Sequence, residues 1–246
     1  MEISSEDVFL ASFPKSGTTW LLNIVFNVTG EDQKHDNVDD IIPWLDCDPF
    51  SIGPSGPKRY FKSHVPFSWL PHNEGPKYIY IARNPKDVAI SFYYFLRNMQ
   101  DQVIGYKKEN EVDIPAFIDL FVEGNVLYGS WWDHVMSWYN ASLVHENVLF
   151  ITYEQLSGDA IGMTRKIGRF LGRELDDDKV GAITSKCSFN SMKKDDKSSM
   201  SYLKDFWRKG ICGDYVNFFT DEQIRKFDEK TTGMIPDELR NMFNYT

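Results

Sequence analysis

Short apolar runs alternate with longer amphipathic stretches along this chain of 246 residues. Three of the runs are compact enough for buried strands, at 8–13, 77–82 and 147–152, and the more polar stretch 58–63 is predicted to be a further strand. The remaining stretches carry apolar residues near helical spacing and predict helices at 20–28, 86–99, 114–123, 130–144, 159–171 and 176–186. Strands that alternate with helices indicate an α/β fold, with a central, mostly parallel sheet flanked by helices.

Two long stretches lack such periodicity. Residues 30–57 are acidic at first and then rich in Pro, Gly and Ser, so we expect an irregular excursion that folds over a site. Residues 188–219 are polar and loop-like, apart from one short helical segment at 189–194. A last helix is predicted to begin after Thr220, whose hydroxyl suits an N-cap. The length fits a single domain over residues 1–246.

The overall composition limits the kinds of molecule that the chain is expected to bind. A net charge of −9 argues against a general nucleic-acid binder or a binder of anionic membranes, so any bound anion needs a local basic site. Three scattered cysteines, without metal-ligand spacing, indicate a reducing compartment and no metal site. The sequence has no apolar run of membrane-spanning length, and its N-terminus does not resemble a signal peptide. We therefore expect a cytoplasmic protein.

The strand at 8–13 runs through Pro-Lys-Ser-Gly-Thr-Thr into the helix at 20–28. A loop of this kind presents unpaired backbone N–H groups and the positive end of the helix dipole to an anion. Lys15 adds a cation, and nearby hydroxyls add donors. The pattern predicts a cradle for phosphate or sulfate. Polar segments follow the other predicted strands too, at the sheet edge where α/β proteins bind ligands.

The loop differs from the one that binds nucleoside triphosphates. That loop reads G-x-x-x-x-G-K-[ST], with its lysine after the second glycine. Here Lys15 precedes the loop's only glycine, Gly17. No predicted strand ends in an acidic residue suited to hold Mg²⁺.

Four segments, in order, resemble those of the cytosolic sulfotransferases: FPKSGTTW at 13–20, KSHVPFSWLP at 62–71, YIARNPKDVAISFYYF at 80–95 and RKGICGDYVNFFT at 208–220. The resemblance implies a three-layer, P-loop-like domain. It also implies transfer of a sulfuryl group from 3′-phosphoadenosine-5′-phosphosulfate (PAPS) to a hydroxyl or amine of a small acceptor, leaving PAP. The transfer is expected to be direct and in line, without a metal.

The same resemblance implies roles for individual residues. The donor-binding set comprises Lys15, Ser16, Gly17, Thr18, Thr19, Trp20, Arg83, Ser91, Tyr153, Ser188, Phe189, Arg208, Lys209 and Gly210. Within this set, Trp20 stacks on the adenine, and Lys15 contacts the bridging oxygen and the departing 5′-phosphate. Tyr153, Ser188 and Phe189 resemble the family's adenine-contacting residues. Cys187, next to them, stands where the family usually has Thr, which puts the hydrogen bond of that Thr in doubt. The catalytic set is His64, Lys15, Lys62 and Ser91.

His64 is the candidate general base. It follows a predicted strand end and lies two residues from Lys62, so strand alternation points both side chains into one site. A neutral imidazole, with an ordinary pKa near 6.5, accepts the proton of an acceptor hydroxyl. The other four histidines are interpreted as structural or surface residues.

The acceptor side is less well defined. Phe95 aligns with a pocket aromatic of the family, with Phe67, Trp44 and Trp69 as neighbours; plain core packing is the alternative for each. An aromatic slot suits phenols and other flat hydroxylated molecules. The acidic run 36–48 raises a second possibility, a catecholamine-like amine.

The family's C-terminal dimer motif would fall on Val216, Thr220, Asp221 and Arg225, of which only Thr220 matches. We therefore expect a monomer, or a dimer built on another surface.

Three alternatives to a cytosolic sulfotransferase remain open: a Mg²⁺-dependent nucleotide kinase, a non-catalytic nucleotide-binding module, and a Golgi-type sulfotransferase, which would need a membrane anchor.

Overall fold

Four parallel strands form the sheet in the part of the chain that the computed structural model describes, residues 3–30, 42, 44–46, 59–71, 75–99, 112–195 and 206–244. They are β1 (Val8–Ala11), β2 (Tyr60–Ser63), β3 (Lys77–Ala82) and β4 (Val148–Thr152), in the spatial order β2-β1-β3-β4. Val8 pairs with Tyr60 on one side and with Lys77 on the other, and Tyr78 pairs with Val148. The α/β prediction is confirmed.

Both faces of the sheet are buried because successive side chains of a strand point to opposite sides. On one face Phe9 of β1 stacks between Phe61 and Tyr78, with ring centroids 4.9 Å apart in each pair. On the other face Leu10 and Ile79 join a second apolar cluster. This two-sided burial explains why β1 is continuously apolar in the sequence and why β3 and β4 are nearly so.

Ten α-helices accompany the sheet in the described ranges: α1 (Thr18–Thr29), α2 (Pro85–Met99), α3 (Ile114–Glu123), α4 (Trp131–Val144), α5 (Tyr153–Gly158), α6 (Ala160–Phe170), α7 (Asp177–Lys186), α8 (Phe189–Lys194), α9 (Asp221–Met234) and α10 (Asp237–Met242). Helices α1, α6 and α7 pack in the cluster with Leu10, whereas α2, α3, α4 and α9 pack in the cluster with Phe9. The result is the three-layer arrangement implied by the resemblance.

The predicted elements differ from the structure in a few places. Strand β1 ends at Ala11 rather than at residue 13, since the chain turns into the loop earlier. Helices α5 and α10 were not predicted. Helix α5 begins directly after β4 because Thr152 and Gln155 form a capping box at its start. The excursion predicted at 30–57 lies almost entirely outside the described residues.

The strand order determines where a ligand has room. The chain passes from β1 to β2 on one side of β1, and then crosses to β3 on the other side. Such a reversal opens a crevice at the carboxyl ends of the strands. The loop between β1 and α1 lies at this position, and His64 follows β2 at the same edge.

Candidate active site

The loop between β1 and α1 leaves the first turn of α1 available to a ligand. Gly17 is the N-cap of α1 at φ 111°, and no side chain caps the helix. A Cβ at Gly17 would lie 2.9 Å from the Tyr153 ring, so both the space and the backbone conformation require glycine. The hydroxyl oxygen of Ser16 is buried and has no hydrogen-bond partner among the described residues. These features fit an anion at the helix N-terminus.

A cavity of about 790 Å³ opens in front of this loop. Seventeen of the twenty predicted site residues line it: Lys15, Gly17, Thr18, Thr19, Trp20, Trp44, Lys62, His64, Arg83, Ser91, Phe95, Tyr153, Ser188, Phe189, Arg208, Lys209 and Gly210. The remaining three, Ser16, Phe67 and Trp69, do not. The structure thus brings the four sequence segments together around one space.

His64 is held in one tautomer by the loop. Its Nδ1 lies 2.8 Å from the carbonyl oxygen of Ser12, and because a carbonyl only accepts, Nδ1 carries the hydrogen. The Nε2 atom therefore keeps its lone pair. Burial and, secondarily, the charge of Lys62 lower the pKa of His64 to about 3. The imidazole is neutral at physiological pH.

Asp46 fixes the backbone and the surroundings of His64. Its carboxylate accepts the backbone N–H of His64 at 2.7 Å and the hydroxyl of Ser63 at 2.8 Å. It also accepts the indole N–H of Trp44 at 2.9 Å and the hydroxyl of Tyr128 at 3.2 Å. Four donors converge on one carboxylate, which orients two rings beside the imidazole.

Two lysines project into the cavity from different elements. The ammonium of Lys15 lies 4.0 Å from the ring centroid of Phe206 and 4.5 Å from that of Phe95. The ammonium of Lys62 lies 4.9 Å from the ring centroid of Trp44. These cation–π distances place both charges against aromatic walls.

A second group of cations lies on the side of α2. One Nη of Arg83 donates to the carbonyl of Ile211 at 2.7 Å, and its guanidinium lies 4.3 Å from the Tyr153 ring centroid. Arg208 and Lys209 both form ion pairs with the buried carboxylate of Asp214. This is the local basic site that an acidic chain needs in order to bind an anion.

Two aromatic contacts border the space between these groups. Trp20 packs edge-on against Tyr153, with centroids 5.2 Å apart. Gly210 has φ 67°, and a Cβ there would lie 2.2 Å from the Phe189 ring. Ser188 caps α8 by accepting the Ser191 N–H. The predicted adenine-side residues thus lie together.

The structure does not support the acceptor-side roles of Phe67 and Trp69. The Phe67 ring packs in the core, with its centroid 5.1 Å from that of Trp138 and 5.7 Å from that of Tyr78. Trp69 is 76% exposed and does not line the cavity. Cys187 is buried, and its sulfur accepts the Asn27 side-chain N–H at 3.7 Å.

Sequence reasoning missed several residues near the cavity. Asp46 stood in the acidic run 36–48, which suggested only a contact for an amine acceptor, and Tyr128 stood in a loop without a pattern. Phe206 lies two residues before Arg208, and an aromatic next to a cationic segment was a usable signal. His134 is buried, as a structural interpretation implies, but it bonds directly to the backbone of His64.

Across the described ranges, no group of three or more His, Cys, Asp or Glu side chains is arranged to hold a metal ion. None of the helices in those ranges is both long enough and apolar enough to cross a membrane. The metal-free mechanism stays a prediction.

Comparison with known proteins identifies the family. The family model described as "Sulfotransferase domain" matches residues 5–242. The chain is 34% identical to sulfotransferase 2A1 of Rattus norvegicus, covering 95% of this chain and 87% of that protein. It is 33% identical to the 3-beta-hydroxysteroid sulfotransferase of Cavia porcellus, over 95% and 86%. The crystal structure of mouse sulfotransferase SULT7A1 complexed with PAP superposes with a TM-score of 0.77 at 30% identity, covering 100% of this chain and 91% of that one. The chain belongs to the sulfotransferase family.

Proposed function

We propose that this enzyme transfers the sulfuryl group of PAPS to a hydroxyl of a small, flat acceptor, with His64 as general base. One observation carries the proposal. The unprotonated Nε2 of His64 belongs to a residue that lines the same cavity as Lys15, Arg83 and Arg208. A base and an anion-binding set therefore share one space.

The donor side fits a nucleotide with phosphates at two ends. The orphan hydroxyl of Ser16 and the open N-terminus of α1 suit the 5′-phosphosulfate. Arg83, Arg208 and Lys209 suit the 3′-phosphate, while the rings of the adenine side suit the base. The mouse relative crystallised with PAP supports the same ligand class here.

PAPS, when bound, supplies an activated sulfuryl group. In our proposal His64 accepts the hydroxyl proton of the acceptor at Nε2 as the acceptor oxygen becomes a nucleophile. Lys15 and Lys62 offset the negative charge that develops around the transferred group and the departing phosphate. Ser91 is buried at the cavity wall, and we assign its hydroxyl as a donor to the 3′-phosphate, together with Arg83.

The low pKa of His64 belongs to the ligand-free protein. Burial lowers the pKa most, and the positive charges of Lys62 and Lys15 lower it further. A bound polyanion offsets that charge, so the pKa of His64 rises when donor binds. The imidazole is then a stronger base in the complex than in the free enzyme.

The acceptor walls favour a hydroxylated ring system over an amine. Trp44, Phe95, Tyr128 and Phe206 line the cavity on the His64 side. Among the described residues that line the cavity, Asp46 is the carboxylate available to an ammonium, and it already accepts four hydrogen bonds. The guinea-pig relative is named for a hydroxysteroid, which supports the same acceptor class.

The free thiols of Cys187 and Cys212 are consistent with the reducing environment of the cytoplasm, where we place the enzyme.

The departures at Val216 and Arg225 support a monomer, or a dimer that does not use the family's C-terminal motif. Arg225 pairs within its own helix, with Glu229 at 3.1 Å. A dimer found by sedimentation, with residues 216–225 mapped to its interface by a separate experiment, would contradict the proposed oligomeric state.

The test uses ³⁵S-labelled PAPS and a panel of phenols, sterols, aliphatic alcohols and aryl amines, with a chelator present. We expect label in phenols or sterols and little or none in amines. Turnover of ATP in a parallel reaction that contains Mg²⁺ and no chelator would favour the nucleotide kinase. Tight binding of PAP, measured by calorimetry, without transfer to any acceptor would favour the binding module.

A further inference from the structure

Two buried polar side chains that the proposed chemistry does not use lie between the donor loop and His64. Tyr80 stands on β3 and is fully buried, and His134 stands on α4 and is 1% exposed. Neither side chain lines the cavity. A buried hydroxyl and a buried imidazole are costly unless they are hydrogen-bonded, so their partners carry information.

The two side chains form one continuous chain of hydrogen bonds. The backbone N–H of Phe13 donates to the Tyr80 hydroxyl at 3.2 Å, and this hydroxyl lies 2.9 Å from Nδ1 of His134. Nε2 of His134 lies 2.9 Å from the carbonyl oxygen of His64. Since that carbonyl only accepts, Nε2 carries the hydrogen and Nδ1 of neutral His134 accepts from Tyr80. Every polar atom along the chain is thereby satisfied.

The location of this chain of hydrogen bonds matters because the residue pairing between β1 and β2 ends before it. The last paired residues of β1 and β2 are Ala11 and Ser63. Phe13 and His64 both lie beyond that pair, in irregular backbone. One more backbone bond, from the Ser12 N–H to the Ser63 carbonyl at 3.3 Å, and the bond between the Ser12 carbonyl and the His64 ring link the two segments directly. The Tyr80–His134 chain adds a separate link, from the backbone of Phe13 to the backbone of His64.

We propose that Tyr80 and His134 are positioning residues that hold His64 in register with the loop carrying Lys15. The inference rests on the proposed role of His64 as base. In-line transfer depends on the relative placement of the two reactants, and a misplacement of 1 Å costs about 100-fold in rate. Loss of the chain is therefore expected to lower kcat and to leave donor binding largely unchanged.

The variants are Tyr80→Phe, His134→Leu and His134→Gln. Phe keeps the ring of Tyr80 and removes only the hydroxyl. The Gln amide nitrogen reaches close to the position of the histidine Nε2 and donates to the His64 carbonyl, whereas Leu has similar bulk and no donor. Thr231→Val is the matched control, because it removes a buried hydrogen bond elsewhere, from the Trp132 indole at 3.0 Å.

We expect Tyr80→Phe and His134→Leu to lower kcat about 10- to 100-fold, with the Kd for PAP changed less than about twofold. His134→Gln should recover most of the lost kcat. Thr231→Val should lower Tm and leave kcat unchanged. Long-range ¹H–¹⁵N spectra should show one Nδ1–H tautomer for His64 in the wild type, and broadened or doubled ring resonances in Tyr80→Phe.

Wild-type kcat and sharp His64 resonances in Tyr80→Phe, or the same kcat in His134→Gln as in His134→Leu, would overturn the positioning role. His64→Gln separates this result from a failure of the proposed function. If His64→Gln loses transfer while Tyr80→Phe keeps it, the positioning role alone is wrong. If His64→Gln keeps transfer, the base assignment is wrong, and the inference falls with it.

Discussion

The carbonyl oxygen of Ser12 lies 2.8 Å from Nδ1 of His64, and it decides which nitrogen of that ring carries the hydrogen. Ser12 directly follows β1, at the start of the donor loop, so the loop itself sets the tautomer of the candidate base. The Ser12 hydroxyl lies 2.6 Å from that of Thr18, in the first turn of α1. The segment that leads from β1 into α1 therefore contacts the imidazole and also forms part of the anion cradle.

Asp46→Asn tests whether the carboxylate orients the base. The Asn side chain would keep the shape of Asp. Its amide N–H groups, however, would face the N–H and O–H donors that now bond to the carboxylate. We expect a loss of about 1–3 kcal/mol in the free energy of unfolding, because buried donors lose their acceptor. We also expect kcat to fall at least about tenfold. Calorimetry of unfolding and steady-state rates measure the two effects, and unchanged rates would show that Asp46 is dispensable for orientation.

Gly210→Ala tests the approach of the backbone to the Phe189 ring. The added Cβ would lie 2.2 Å from that ring, so we expect Phe189 to shift and PAP affinity to fall about tenfold or more. Gly129→Ala is the control, since Gly129 also has positive φ, at 76°, but its Cβ would meet no atom within 4 Å. It should cost about 1 kcal/mol of stability and leave PAP binding intact. Equal affinity in both variants would count against a donor site beside Gly210.

Glu154 should make stability fall as the pH rises through neutrality. Burial raises the pKa of its carboxyl to about 7, above the value of an unfolded chain. The folded state therefore holds an extra proton below that pH, and the stability it contributes is lost as the pH rises through 7. Glu154→Gln cannot lose this proton. The Tm of the wild type minus that of the variant should fall between pH 5 and pH 8; a constant difference would contradict the shifted pKa.

His134 should act in the opposite direction. Burial lowers its pKa to about 4, so the unfolded chain binds a proton that the folded protein excludes. The stability that depends on neutral His134 is present above pH 6.5 and is lost as the pH falls towards 4. His134→Gln has no such proton. Its unfolding free energy should decline less steeply than that of the wild type between pH 6.5 and pH 4.5, and parallel curves would argue against a neutral buried His134.

Local patterns were sufficient for most of the fold and for the donor side of the site. The strand predicted at 77–82 is β3 with the same bounds, because a short apolar run that ends before Arg83 has few alternatives to a strand. The loop at 13–20 was recognisable because its chemistry lies in consecutive residues. Helix α5 was missed although Thr152 and Gln155 carry a capping signal.

The acceptor side was harder because its residues meet only in three dimensions. Phe67 and Phe95 are the same residue type in similar apolar surroundings, yet one packs in the core and the other lines the cavity. Likewise, nothing local links Tyr80 to His134, whose side chains meet across 54 positions of sequence. Tertiary packing alone assigns such roles.

The most direct test of His64 as base compares phenols of different acidity. Transfer from labelled PAPS is measured for the wild type and for His64→Gln, with Kd for PAP measured by calorimetry. We expect His64→Gln to lower kcat about 10²- to 10⁴-fold for a weakly acidic phenol, with Kd nearly unchanged. The loss should shrink for a strongly acidic phenol, which is already ionised and needs no base. Equal rates for wild type and variant with the weakly acidic phenol would contradict the central claim.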